Sequence, residues 1–200
     1  IVGASGTIGT AISQKLSDSD IPLLLHGRTD SKRLSLLAEK LKAPKFAADL
    51  TNSEEAEAFV SAVSEKQDGL SGIVFCAAQP FPHKLTLRTD WSVFQEQFDS
   101  QLKSLHTLLQ AFKPVLENRP DGAHVIILST EYVLGSPPIK IAPYLAAKAA
   151  LTAYSQVIAQ ELLKVGIRVH ILAPGMVKSA LTAGMPDEYL DMIAADMPEK

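Results

Sequence analysis

Cysteine is almost absent from this 200-residue chain: Cys76 stands alone. One thiol excludes a disulfide within the chain and a cysteine-built metal cluster, and it suits a reducing, cytoplasmic setting. The histidines, at 26, 83, 106, 124 and 170, share no metal-ligand spacing, so they read as structural or exposed residues and no metal is expected. Basic residues are in no excess: 19 Lys and Arg face 22 Asp and Glu, a net charge of -3. With no basic stripe, nucleic acid is an unsuitable partner. No apolar run reaches the ~18 residues that a membrane helix needs. No signal peptide, internal repeat or low-complexity linker is visible. What is present is globular in balance, 46% hydrophobic and 20% charged. Residues 1–200 read as a single domain. Because the chain opens on Ile1 inside a strand and stops at MPEK, it is expected to be truncated at both ends.

Apolar β-rich runs alternate with helical periods along the whole chain. Ile1-Val2 is the tail of a first strand; 22–27, 45–50, 70–78, 124–130 and 167–173 are the others. Between them, Ile8, Ile12 and Leu16 mark one helix, and Leu34, Leu37 and Leu41 a second, with Asp30 as its expected N-cap. TNSEEAEAFVSAV carries acids in a first turn, where the helix dipole favours them. A long amphipathic helix is predicted over 91–116, with a disturbance at Pro114. A last one runs from Pro143, which suits a first turn, to about Val165. Strands alternating with helices predict an α/β fold: a Rossmann-like, doubly wound parallel sheet with helices on both faces, in three layers. Ligands bind such sheets beyond the carboxyl ends of the strands.

The first of those strand-end loops is GASGTIG. Gly3, Gly6 and Gly9 allow a tight turn and close approach of a pyrophosphate, and the following helix start offers free N–H groups. Ser5, Thr7 and Ile8 complete this cradle. The second strand ends HGRT. An acid here would hold the ribose hydroxyl of NAD, whereas Arg28 suits the 2′-phosphate of NADP, with hydroxyls from Thr29 and Ser31. NADP is therefore the expected cofactor and NAD the second choice, because a small shift of register would bring Asp30 to the ribose.

Residues 143–151 read PYLAAKAAL, which puts Tyr144 and Lys148 on one face of a helix. Together with the glycine loop, the Asp49-Leu50 pair and IRVHILAPGMVKS, this segment resembles the short-chain dehydrogenase/reductase family, in order over nearly the whole chain. The resemblance implies a hydride transfer between NADP(H) and a carbonyl or secondary alcohol, such as a 3-oxoacyl thioester or related ketone. It implies that Tyr144 moves the proton, and that Lys148 lowers its pKa and holds the nicotinamide ribose. It puts Asp49, Leu50, Ala77 and Ala78 at the adenosine, and Pro174, Gly175, Val177 and Ser179 at the nicotinamide.

The chain also departs from the family's pattern. Val2 stands where threonine is usual, FCAA where Asn-Asn-Ala-Gly is common, and Gln101 where an asparagine supports a water relay to the lysine. The substrate-orienting hydroxyl is displaced: thirteen residues before Tyr144 stands Glu131. Thr130 is the first candidate, Ser129 the second and Glu131 the third. These departures motivate one alternative, a catalytically impaired nucleotide sensor or scaffold of the same fold; the GxxGxxG spacing of the glycine loop motivates another, an epimerase- or dehydratase-like relative. Cys76 reads as a buried small apolar residue, Trp91 as packing at a helix start, and 64–68 as a solvated face. His170 reads as a hydrogen-bonded core or strand-end residue. Met176, Met185, Met192 and Met197 fall in the last segment, as lid or core. Helices 91–116 and 143–165 are expected to lie side by side, and the resemblance implies that such helices form a subunit interface, giving a homodimer or homotetramer.

Overall fold

The computed structural model describes residues 1–66, 70–117 and 119–195. All its strand pairs are parallel. Strand β1 (Leu25–Gly27) pairs with β2 (Lys45–Ala47), and β3 (Gly72–Phe75), β4 (Ala123–Leu128) and β5 (Ile167–Leu172) pair in that order. Val2 joins the two groups, bridging His26 on one side and Phe75 on the other. The chain thus starts at the centre, moves outward through β1 and β2, and returns to the centre at β3. The strand order reverses beside Val2, directly under the glycine loop.

Helices α1 (Thr7–Ser17), α2 (Lys32–Leu41), α3 (Ser53–Lys66), α5 (Ser104–Leu116) and α6 (Ala142–Leu163) form around the strands much as the apolar spacing predicts. Asn52 caps α3 through its side-chain oxygen, which accepts from the amides of Glu54 and Glu55. The cap of α2 is Ser31, not Asp30: its hydroxyl accepts from the Leu34 amide at 3.2 Å, while Asp30 pairs with Lys45. The helix predicted over 91–116 is divided elsewhere than expected. α4 (Trp91–Phe98) passes through a π-turn at Asp99–Lys103 into α5, and Pro114 leaves α5 helical to Leu116. The π-turn shifts one backbone partner, and the Ser104 hydroxyl takes up the Asp99 carbonyl at 2.9 Å. A further helix, α7 (Asp187–Ala195), was not anticipated. None of the described helices is long and apolar enough to cross a membrane. Met197 and the end of the 64–68 segment lie outside the described residues.

The core lies between β3–β4 and the α3–α5–α6 layer. Phe75, Leu105, Ile127 and Leu151 are fully buried there, each contributing about 1.5–3 kcal/mol of apolar burial. Phe59 and Phe112 meet edge to face at 5.9 Å and lock α3 to α5. Trp91, expected as packing, is exposed and stacks only on Phe94. His170 does not belong to the core either: it is exposed on β5, with its ring nitrogen 2.9 Å from that of His124.

His26 sits in β1 against Phe59, with Nε2 bonded to the Ala48 carbonyl at 2.9 Å. Burial lowers its pKa from 6.5 to about 4. The unfolded chain therefore takes up a proton on this ring before the folded chain does. Stability should fall as the pH drops from 6.5 towards 4, by about 3 kcal/mol in full. Urea unfolding at stepped pH should show this acid slope, and His26→Gln should flatten it.

Candidate active site

Two cavities run along the carboxyl edge of the sheet and meet at Cys76 and Ala78. The larger, of about 350 Å³, lies over the glycine loop, β1 and β2. The other, of about 110 Å³, lies over β4 and β5.

The glycine loop is shaped by three different constraints. Gly3 has φ +76°, which L side chains rarely adopt, and its α-carbon faces the Cys76 backbone. A Cβ on Gly9 would lie 2.2 Å from the Gly3 carbonyl oxygen, so the start of α1 approaches the loop as closely as it does only because Gly9 has no side chain. Gly6 is freer, at 3.3 Å from the same oxygen. Gly3, Ser5 and Gly6 line the larger cavity and Ile8 the smaller, whereas Thr7 and Gly9 line neither and shape the turn from behind.

Arg28 lines the far side of the larger cavity with Asp49, Leu50, Ala77 and Ala78. Its Nε lies 3.2 Å from an Asp49 carboxylate oxygen, and its terminal nitrogen donates to the Gln79 side chain at 2.5 Å. Burial alone would push the Asp49 carboxyl up. The Thr51 hydroxyl and amide, with Arg28 beyond them, outweigh this and hold it below its usual range. Asp30 turns away to Lys45 and Ser35, which removes the acidic alternative from this cavity. Thr29 also stays outside its lining. Ser31 and Arg33 line it instead. A long groove with glycine backbone at one end suits a dinucleotide, and Arg28 and Arg33 line its other end.

Tyr144 and Lys148 both face the smaller cavity from α6, with the lysine Nζ 5.8 Å from the centre of the phenol ring. Lys148 is buried, and its ammonium donates to the Leu128 carbonyl. Burial lowers its pKa to about 8, an effect that the Cys76 thiol opposes. Cys76 is itself half-buried, and burial raises its thiol to about 11. The Tyr144 phenol departs from the expectation of a lowered pKa. Burial raises it, and the Thr130 side chain beside it pulls the other way.

Both candidate hydroxyls, Ser129 and Thr130, line the smaller cavity, with different neighbours. Ser129 lies 2.6 Å from the Thr152 hydroxyl of α6 and is held there. Thr130 interacts with the Tyr144 phenol. Glu131 is exposed at the start of a short 3₁₀ turn and lies outside the cavity lining. Gln101 is fully buried in the π-turn that packs on α6, but its amide donates to Gln97 and its side-chain oxygen has no partner among the described residues. Pro174, Gly175, Val177 and Ser179 line the cavity, joined by Met176 and Met185. Met192 is exposed on α7, away from it.

Several lining residues escaped the sequence reading: Arg33, Gln79, Phe81 and His83. Only Arg33 carried a signal, as a second cation close behind Arg28. Among the described residues no three His, Cys, Asp or Glu side chains converge as a metal site would require.

The family model described as Enoyl-(Acyl carrier protein) reductase matches residues 3–200. An uncharacterized oxidoreductase of Staphylococcus epidermidis is 34% identical over 189 residues, covering 92% of this chain and 79% of its own. A 3-oxoacyl-acyl-carrier-protein reductase of Rickettsia bellii is 33% identical over 202 residues, covering 100% and 80%. Among solved structures, a metagenomic short-chain oxidoreductase in complex with NADP superposes with TM-score 0.80 at 28% identity, covering 98% of this chain and 88% of its own. A short-chain dehydrogenase from Streptomyces avermitilis shares the fold with TM-score 0.81 at 22% identity. The chain covers 90% of itself in that match and spans 65% of the Streptomyces protein.

Proposed function

Because the chain belongs to the short-chain dehydrogenase/reductase family of oxidoreductases, we propose that it is an NADPH-dependent carbonyl reductase, or the matching alcohol dehydrogenase. The observation that carries this reading is the meeting of Tyr144, Lys148 and Thr130 around one cavity that opens onto the glycine-loop groove. When bound, the cofactor supplies or accepts the hydride. Gly3, Ser5 and Gly6 would hold its pyrophosphate, Arg28 and Arg33 its 2′-phosphate, Asp49, Leu50, Ala77 and Ala78 its adenosine, and Pro174, Gly175, Val177 and Ser179 its nicotinamide.

The chain's own residues then handle the carbonyl and the proton. The Tyr144 phenol donates to the carbonyl oxygen in reduction and accepts from the alcohol in oxidation. A phenol is protonated near neutrality in any case, and burial, which raises its pKa, leaves it so. Thr130 donates a second hydrogen bond to the carbonyl oxygen and holds it beside the phenol. Lys148, bonded to the Leu128 carbonyl, would hold the ribose, and it keeps a cation near the site below about pH 8. Ser129 lines the same cavity with its hydroxyl 2.6 Å from that of Thr152, and is the second candidate for the hydrogen bond to the carbonyl oxygen.

The cavity's remaining wall is mostly apolar, with Phe81, Leu181, Met176, Met185 and Pro138 among its lining. It accommodates a ketone on a hydrocarbon chain or ring; a 3-oxoacyl thioester, the substrate named for the Rickettsia relative, is one example. α4 and the π-turn pack on α6. Val157, Leu163 and Trp91 are left exposed on these helices, which supports a homodimer or homotetramer through them. A reducing cytoplasm is the setting we favour.

The test is parallel titration with NADPH and NADH, followed by NADPH oxidation over a panel of aliphatic, aromatic and thioester ketones. Tight NADPH binding and oxidation by some of them are expected. Binding without oxidation across the panel would instead identify a nucleotide sensor. Arg28→Ala should weaken NADPH about tenfold or more and leave NADH nearly unchanged, because only the former carries the phosphate. Added salt should erode the NADPH preference of the parent in the same direction.

A further inference from the structure

We propose that Phe81 is a positioning residue for the proton-transfer group, its ring holding the Tyr144 phenol in place and sealing one face of it from water. The proposal rests on the reading of Tyr144 as the proton donor. The two rings are parallel, inclined by 9° with centroids 5.6 Å apart. That is the offset-stacked arrangement which aromatic pairs favour over simple burial. The Lys148 ammonium lies 5.8 Å from the same phenol ring. The ring is therefore held from two directions, by Phe81 from the β3–α4 loop and by Lys148 from its own helix.

A loop aromatic positions another group only if the loop is itself fixed. Here His83 supplies the fixture. Its Nε2 lies 3.0 Å from the Leu181 carbonyl, 98 residues along the chain, and ties the β3–α4 loop to the segment after β5. Gly184 leaves room for this: a Cβ there would lie 3.2 Å from the histidine ring. Phe81 also meets the His83 ring at 4.9 Å. Two strand-end loops thus close on each other over the cavity and present a flat apolar wall to the phenol. The raised pKa of Tyr144, whose first cause is burial, agrees with this geometry. The titratable groups sharing the cavity with the phenol are Lys148 on α6, Cys76 after β3, His83 on the loop and Tyr132 in the turn after β4.

The experiment is phenolate absorbance of the protein without cofactor as the pH is raised, comparing the parent with Phe81→Leu and Phe81→Trp. Tyr144→Phe identifies which part of the absorbance change belongs to Tyr144. In Phe81→Leu the Tyr144 midpoint should move to lower pH, as water reaches the exposed face. With a ketone found by the panel, kcat should fall about ten- to a hundredfold while KM for NADPH stays near the parent's, as expected for a misplaced reacting group. Phe81→Trp keeps a stacking ring and should retain both the midpoint and most of the turnover. An unchanged Tyr144 midpoint in Phe81→Leu would overturn the proposal, whatever the activity. If the parent reduces no ketone, the reductase reading fails, and the titration still decides the role of Phe81.

Discussion

Tyr144→Phe is expected to lower ketone reduction by about 10²- to 10⁴-fold, the range that a positioned general acid contributes. NADPH affinity and thermal stability should stay close to the parent's. The substitution removes one oxygen and keeps the ring, so the parallel contact with Phe81 and the position over α6 survive. What is lost is the hydroxyl beside Thr130. The loss should appear in kcat and kcat/KM together, because the missing hydrogen bond forms fully only as charge develops on the carbonyl oxygen. Reduction by Tyr144→Phe at the parent's rate would remove the mechanism proposed here. The family membership would stand, since it rests on the whole chain.

Gly9→Ala should be strongly damaging for a single added methyl. The new Cβ would lie 2.2 Å from the Gly3 carbonyl oxygen and 3.0 Å from the Ala4 α-carbon. Both are backbone atoms, so no side chain can rotate away. Relief requires α1 to move from the loop, which costs about 1–3 kcal/mol for an overpacked site. The same movement displaces the amides that would face the pyrophosphate. A fall in melting temperature and at least a hundredfold loss of NADPH affinity are expected by calorimetry, the latter because the amides and α1's N-terminus act together. Gly6→Ala, with its nearest contact at 3.3 Å, is the matched comparison and should be much milder. Equal behaviour of the two variants would contradict this account of the loop.

Much of this site is legible in the residues. Tyr144 and Lys148 are four apart in a helix, and the helical period alone puts them on one side. The glycine loop is legible because its requirements, a positive φ and a missing Cβ, are satisfied by one residue type. Phe81 and His83 are not legible in this way. They act through Tyr144 and Leu181, residues 63 and 98 positions along the chain, and no short-range pattern marks such a pair. The π-turn is also invisible, because Asp99–Lys103 has an ordinary helical composition while Pro114 advertises a break that α5 does not make. The phenol's raised pKa depends on burial in a cavity assembled from several loops.

Local spacing by itself determined the α/β order, the loop at the first strand end and the Tyr144–Lys148 pair, because each depends on periods of a few residues. The tertiary structure brings both candidate hydroxyls, Ser129 and Thr130, to the wall of one cavity and gives them different neighbours. Those neighbours depend on how β4 is seated between β3 and β5 and where α6 crosses it, which no short-range pattern records. That seating sets Ser129 against Thr152 and Thr130 beside the phenol.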